Sequence, residues 1–179
     1  MGNSVGMIEL SSIAKGIETC DFMLKAADVE LLRSSTICPG KYMIIIGGDT
    51  GSVNASMKVG EEVAGEFQVD KLLIPNVSEQ LMPAISSTSQ IPTDGAIGVL
   101  EFYSVASAIL AADTAAKAAD VTLIEVRTGF AIGGKGFVTM SGDVSAVTEA
   151  VKAAEAISEL IIHSVVIPRP TDKLYETLM

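Results

Sequence analysis

Strand-sized apolar runs alternate along this chain with longer amphipathic stretches, and the whole series occurs twice. Residues 5–9 are short and mostly apolar and predict a strand. Behind them, Ile13, Ile17, Cys20, Leu24 and Ala27 recur at spacings of 4, 3, 4 and 3. That period predicts a helix with one apolar face. Residues 29–34 and 42–46 predict two more strands, Asp49 or Ser52 opens a second helix, and residues 72–74 close the set as a strand. Residues 97–101 begin the series again. Val105, Ile109, Ala112, Ala116 and Ala119 repeat the helical spacing, and strands are predicted over 121–127 and 137–140. Asp143 opens a helix with Val147, Val151 and Ala154 as its buried stripe, and residues 164–167 form the last strand. Ser12 and Ser104 stand where an N-cap hydroxyl is expected.

The repetition extends to residue identity, which makes it a duplication. Val5-Gly6-Met7-Ile8-Glu9 returns as Ile97-Gly98-Val99-Leu100-Glu101, and Lys25-Ala26-Ala27-Asp28-Val29 returns as Lys117-Ala118-Ala119-Asp120-Val121, both 92 positions later. Gly40-Lys41 and Gly48-Asp49 match Gly134-Lys135 and Gly142-Asp143 at 94, and Ile74-Pro75 matches Ile167-Pro168 at 93. The second copy therefore carries two extra residues ahead of its Gly-Lys. Residues 86–93 are polar, contain Pro92 and have no apolar period, which is a linker composition. The expected domains are 1–88 and 94–179. Each has the order βαββαβ, the ferredoxin-like arrangement, in which two helices cover one face of an antiparallel sheet. The fold class is α+β, in two tandem copies. Such a fold hosts many functions and decides none.

Composition removes several function classes. The formal net charge is −10. A nucleic-acid binder needs clustered Lys and Arg to neutralise phosphates, so nucleic acid is not an expected partner. The same charge argues against an anionic membrane surface. The first nine residues lack a basic segment followed by a long apolar one, and the longest apolar runs are far shorter than a membrane span. The expectation is a soluble intracellular protein. Two cysteines do not make a disulfide scaffold.

Candidate chemistry is sparse. His163 is the single histidine, so no Ser-His-Asp or Cys-His set can be assembled, and a structural or surface role is expected. Glu9 and Glu101, and Asp21 and Asp113, occupy equivalent positions in the two copies, which points to fold contacts or caps rather than catalysis. Gly47-Gly48 and Gly133-Gly134 match neither the phosphate-loop nor the dinucleotide spacing and read as turns. Cys20 sits on the apolar helix face, opposite Ala112 in the other copy, and reads as packing. Cys38 differs. It aligns with Ile132 and precedes Pro39 and Gly40, so it belongs to a loop tip. One cysteine cannot hold a metal cluster that takes four ligands. A three-fold axis through the loop would bring three together.

Gly-Met-Ile-Glu at 6–9, the two Lys-Ala-Ala-Asp-Val segments, Gly-Asp-Val at 142–144 and Val-Ile-Pro-Arg-Pro at 166–170 resemble the signature of bacterial microcompartment shell domains. The resemblance covers nearly the whole chain in both copies. The tandem order and the loop Thr36-Ile37-Cys38-Pro39-Gly40-Lys41 resemble the iron–sulfur-containing tandem shell proteins of propanediol-utilisation compartments. This resemblance implies a homotrimer of two-domain chains, a flat pseudohexameric tile in a shell around cytoplasmic enzymes, with other shell proteins as partners and no enzymatic activity. It implies tile-edge contacts through Lys25, Lys117 and Arg169. The first copy has Asn76-Val77 after Pro75 and so lacks an equivalent arginine. It implies a central pore lined by Ile37, Cys38, Pro39 and Gly40 from one copy and Ile132, Gly133 and Gly134 from the other. It further implies one [4Fe–4S] cluster per trimer, held by three Cys38 thiolates and an external ligand.

Three functions are then in contention. One is an electron conduit across the shell, with an encapsulated or cytosolic redox enzyme as partner. The second is a purely structural tile or metabolite pore. The third is a ferredoxin-like regulatory module that binds a small ligand between subunits.

Overall fold

A computed structural model of the chain describes residues 4–92 and 94–178. Residues 1–3, linker residue 93 and the final residue of the second predicted domain lie outside the described residues. The chain divides into two compact units, Met1–Val77 and Ser78–Met179.

The first unit runs β1 (Ser4–Leu10), α1 (Ile13–Ala26), β2 (Glu30–Ile37), β3 (Lys41–Gly48), α2 (Thr50–Ala64) and β4 (Gln68–Ile74). Its sheet has the order β2-β3-β1-β4, with every neighbouring pair antiparallel. α1 and α2 pack on each other and both reach β1 and β3, so they share one face of the sheet. The core beneath them joins Ile8, Leu10, Ile44 and Ile46 to Cys20, Met23, Val53, Met57 and Ala64. Met7, Met43 and Ile45, which alternate with that set, are buried as well. Burial on both faces is why β1 and β3 read as continuous apolar runs.

Gly6 explains the first motif. A Cβ there would lie 2.7 Å from Met57 Cγ and 3.0 Å from Val53 Cγ1, so its absence lets α2 settle on β1. Gly98 does the same in the second unit, where Val147 Cγ1 would lie at 2.8 Å.

One expectation is corrected. The residues of α1 that face the core are Gly16, Thr19, Cys20 and Met23. Of the predicted apolar face only Cys20 is buried, while Ile13, Ile17 and Leu24 are exposed. Both stripes have helical spacing, and the sheet chose the one with the smallest residue. A Cβ at Gly16 would fall 2.5 Å from the Tyr42 ring, so this face alone permits close approach to β3.

The second unit begins with a short helix, α3 (Leu81–Ile85). The series then repeats as β5 (Ala96–Phe102), α4 (Val105–Ala118), β6 (Val121–Thr128), β7 (Gly136–Gly142), α5 (Val144–Glu155) and β8 (Ile161–Ile167), followed by α6 (Asp172–Glu176). Sheet order is β6-β7-β5-β8, again antiparallel throughout. Here Val105, Ile109 and Ala112 are buried as predicted, and so are Val147, Val151 and Ala154. Residues 78–85, expected with the first copy, join the second unit for a physical reason. The Ser78 N–H donates to Asp113 Oδ1 at 2.7 Å. Gln80 donates to the Val121 carbonyl at 3.0 Å and accepts the Leu123 N–H at 2.8 Å. Leu81, Ala84 and Ile85 are buried.

Candidate functional site

Cys38 occupies the tip of the hairpin between β2 and β3. Three residues, Cys38, Pro39 and Gly40, connect the strands. The Cys38–Pro39 peptide is cis, and Gly40 has φ +77°, a left-handed conformation that costs a side chain about 1–2 kcal/mol. The turn chemistry is thus dictated by Pro39 and Gly40, and it leaves Cys38 half-buried, a free thiol. Pro39 and Gly40 are exposed, whereas Ile37 is buried at the end of β2 beneath the tip.

The equivalent loop of the second copy is longer and contains residues 129–135. Gly129, Ala131, Gly133 and Gly134 all have positive φ. Gly133 is exposed, Ile132 half-buried and Gly134 buried. Phe130, which sequence reasoning passed over, is 61% exposed and is the largest apolar group on this loop. A lone aromatic inside a glycine-rich turn was the available signal.

Each loop is anchored by one ion pair. Lys41, the first residue after the Cys38 turn, pairs with Glu9 of β1, whose carboxylate is buried. Lys135 pairs with Glu101 at 2.9 Å in the same way. The duplicated glutamates and the Gly-Lys lysines therefore form one device that ties each loop to the first strand of its sheet. Asp21 and Asp113 hold Lys25 and Lys117, each at 2.5 Å across one helical turn.

The proposed edge residues are all exposed. Lys25 and Lys117 stand in the last turns of α1 and α4, and Arg169 follows β8 in a cleft shared with Asp94, Asp143 and Asp172. His163 is exposed on β8, and Cys20 is buried within 3.5 Å of the Ser34 hydroxyl.

Among the described residues, no three His, Cys, Asp or Glu side chains are grouped to hold a metal ion. Cys38 is an available thiol, but one chain brings one ligand where a cluster takes about four. The donor set therefore suits an iron–sulfur group only where several copies of the loop converge. Among the described residues no helix is long and apolar enough to cross a membrane.

The tandem pair of domains has counterparts among known proteins. The family pattern described as BMC domain matches residues 4–77 and again 96–170. The chain is 44% identical to the bacterial microcompartment shell protein PduT of Citrobacter freundii, over 100% of this chain and 99% of that one. It is 31% identical to the carboxysome assembly protein CcmO of Synechococcus elongatus, over 98% of this chain and 68% of the relative. A crystal structure of a microcompartment protein from Desulfitobacterium hafniense superposes with a TM-score of 0.91 and 44% identity, covering 97% of this chain and 98% of that one. The two named relatives are, by name, a shell protein and an assembly protein. This chain belongs to the BMC-domain family of bacterial microcompartment shell proteins, with two such domains in tandem.

Proposed function

We propose that this shell building block works as a homotrimeric, pseudohexameric tile in a cytoplasmic microcompartment. Its central pore would be framed by the loops at 37–40 and 132–134. The pore would hold one [4Fe–4S] cluster through three Cys38 thiolates and an external ligand. The observation that carries the reading is the placement of Cys38. It is a free thiol at the tip of a three-residue hairpin, in one copy only, so a three-fold axis would collect three sulfurs and no more. When bound, the cluster would supply one-electron redox chemistry at the pore, with an encapsulated or cytosolic redox enzyme as electron partner. The chain's own part is to present the thiol, hold the loop through Lys41 and Glu9, and set the polarity around the sulfur.

A structural tile or metabolite pore is the second reading. It draws on the other loop, where Phe130 and the glycines offer an apolar rim and backbone groups and no metal ligand.

Iron analysis and electron paramagnetic resonance on anaerobically prepared protein separate the two. One cluster per trimer is expected in the parent and none in Cys38→Ser, with the trimer intact in both. A trimer that stays iron-free after anaerobic reconstitution would overturn the cluster and leave the plain pore.

A further inference from the structure

The duplication makes a comparison that one domain alone could not. The flank of the second copy formed by α4 and the edge of β6 is covered by residues 78–85. Ser78 meets Asp113, and the Gln80 amide pairs with Val121 and Leu123 as an added strand residue would. On the same face of α4 as Asp113, Val105 and Ile109 are wholly buried. The equivalent flank of the first copy is formed by α1 and β2. Its counterpart residues are Ile13, Ile17, Asp21, Val29 and Leu31. Ile13 is 40% exposed, Ile17 56% and Leu31 41%. Three large apolar side chains thus stand open where the other copy is closed.

The segment that would close them is also present, at the other end of the chain. Residues 171–178 follow β8 as residues 78–85 follow β4. The turn is the same, 93 positions on: Leu81 N–H donates to the Ser78 carbonyl at 3.0 Å, and Leu174 N–H donates to the Thr171 carbonyl at 2.8 Å. A five-residue helix follows in each case. Leu81 and Ile85 are buried, whereas their counterparts Leu174 and Leu178 remain half-buried. Each chain therefore carries one open flank and one C-terminal segment of the type that covers such a flank.

We propose that the α1–β2 flank of the first copy is the docking site for residues 171–178 of a second copy of this chain. The inference rests on the homotrimeric reading and identifies the seam that builds it. Thr171 takes the place of Ser78 and presents its N–H to Asp21. Leu174 and Leu178 lie over Ile13, Ile17 and Leu31. Lys173 stands in for Gln80. An ammonium donates but does not accept, so this seam makes one of the two edge bonds found at β6. Flank and segment are different surfaces, so the contact is heterologous, and a heterologous contact closes into a ring when the rotation permits.

Disulfide trapping tests it. In a Cys20→Ala, Cys38→Ser background, Asp21→Cys and Thr171→Cys change two exposed positions. Oxidation is expected to link chains covalently up to trimers on a non-reducing denaturing gel, only when both cysteines are present. Ile17→Glu, also exposed in the single chain, is expected to weaken self-association about tenfold or more in sedimentation, with an unchanged circular dichroism spectrum. If the parent is a trimer yet no inter-chain link forms and Ile17→Glu associates normally, the seam lies elsewhere and the tile reading stands. A monomeric parent overturns both.

Discussion

Gly16 and Tyr42 meet where α1 lies on β3, and the same place in the second copy is held by Ala108 and Gly136. A Cβ on Gly16 would stand 2.5 Å from Tyr42, and a Cβ on Gly136 would stand 2.5 Å from that of Ala108. One partner is glycine in each copy, so the backbones can approach equally closely with the bulk on opposite sides. Tyr42 uses its position further, since its hydroxyl lies 2.8 Å from that of Ser34. Gly16→Ala is expected to lower stability by about 1–3 kcal/mol, the cost of overpacking a filled contact, as read by urea denaturation. A neutral result would mean that Tyr42 can turn aside.

At the scale of elements, the helices are set by their first residues. Ser12 and Ser104 accept the Lys15 and Ser107 N–H groups, so both sequence-predicted caps form. Asp49 accepts from the Gly51 and Ser52 N–H groups at 3.0 Å, whereas Asp143 makes no side-chain cap bond. The Asp49 carboxyl is accordingly held below its ordinary range, first by the Ser52 side chain and then by the Ser52 N–H. A depressed carboxyl stabilises the fold above its unfolded pKa of about 4, and that contribution fades as pH falls through the lower folded value. Asp49→Asn is therefore expected to lose less of its thermal midpoint than the parent between neutral pH and about pH 3. Parallel melting curves check this. An identical acid limb in both proteins would remove Asp49 from the account.

For the whole molecule, the edge role that the family resemblance implies for Lys25 and Lys117 would bear on assembly more than on folding. Lys25 and Asp21 are both well exposed, and exposed pairs contribute only about 0–1 kcal/mol. Lys25 can leave Asp21 for a neighbouring tile at little cost. The double change Lys25→Ala with Arg169→Ala is expected to leave the thermal midpoint and the trimer unchanged while abolishing extended sheets in negative-stain micrographs. Sheets that persist would place the edge contacts on other residues. The net charge of −10 opposes tile packing at low salt, so parent sheets should grow more readily as salt screens that repulsion.

The duplication, the βαββαβ order and the shell-domain family were legible in the sequence, because repeated motifs and short-range periodicity carry them directly. So were the two serine caps and the turn that carries Cys38, since Pro39 and Gly40 restrict the backbone locally. The buried face of α1 was not legible. Its two candidate stripes share one period, and only contact with Tyr42 across the sheet selects the glycine-bearing side. Nor were the partners of Glu9 and Glu101, which lie 32 and 34 positions away on Lys41 and Lys135. The placement of residues 78–85 was also settled in three dimensions. Their sequence reads as the end of the first copy, but their hydrogen bonds go to Asp113, Val121 and Leu123. Local pattern reports what a segment can form, and long-range packing decides which surface it covers.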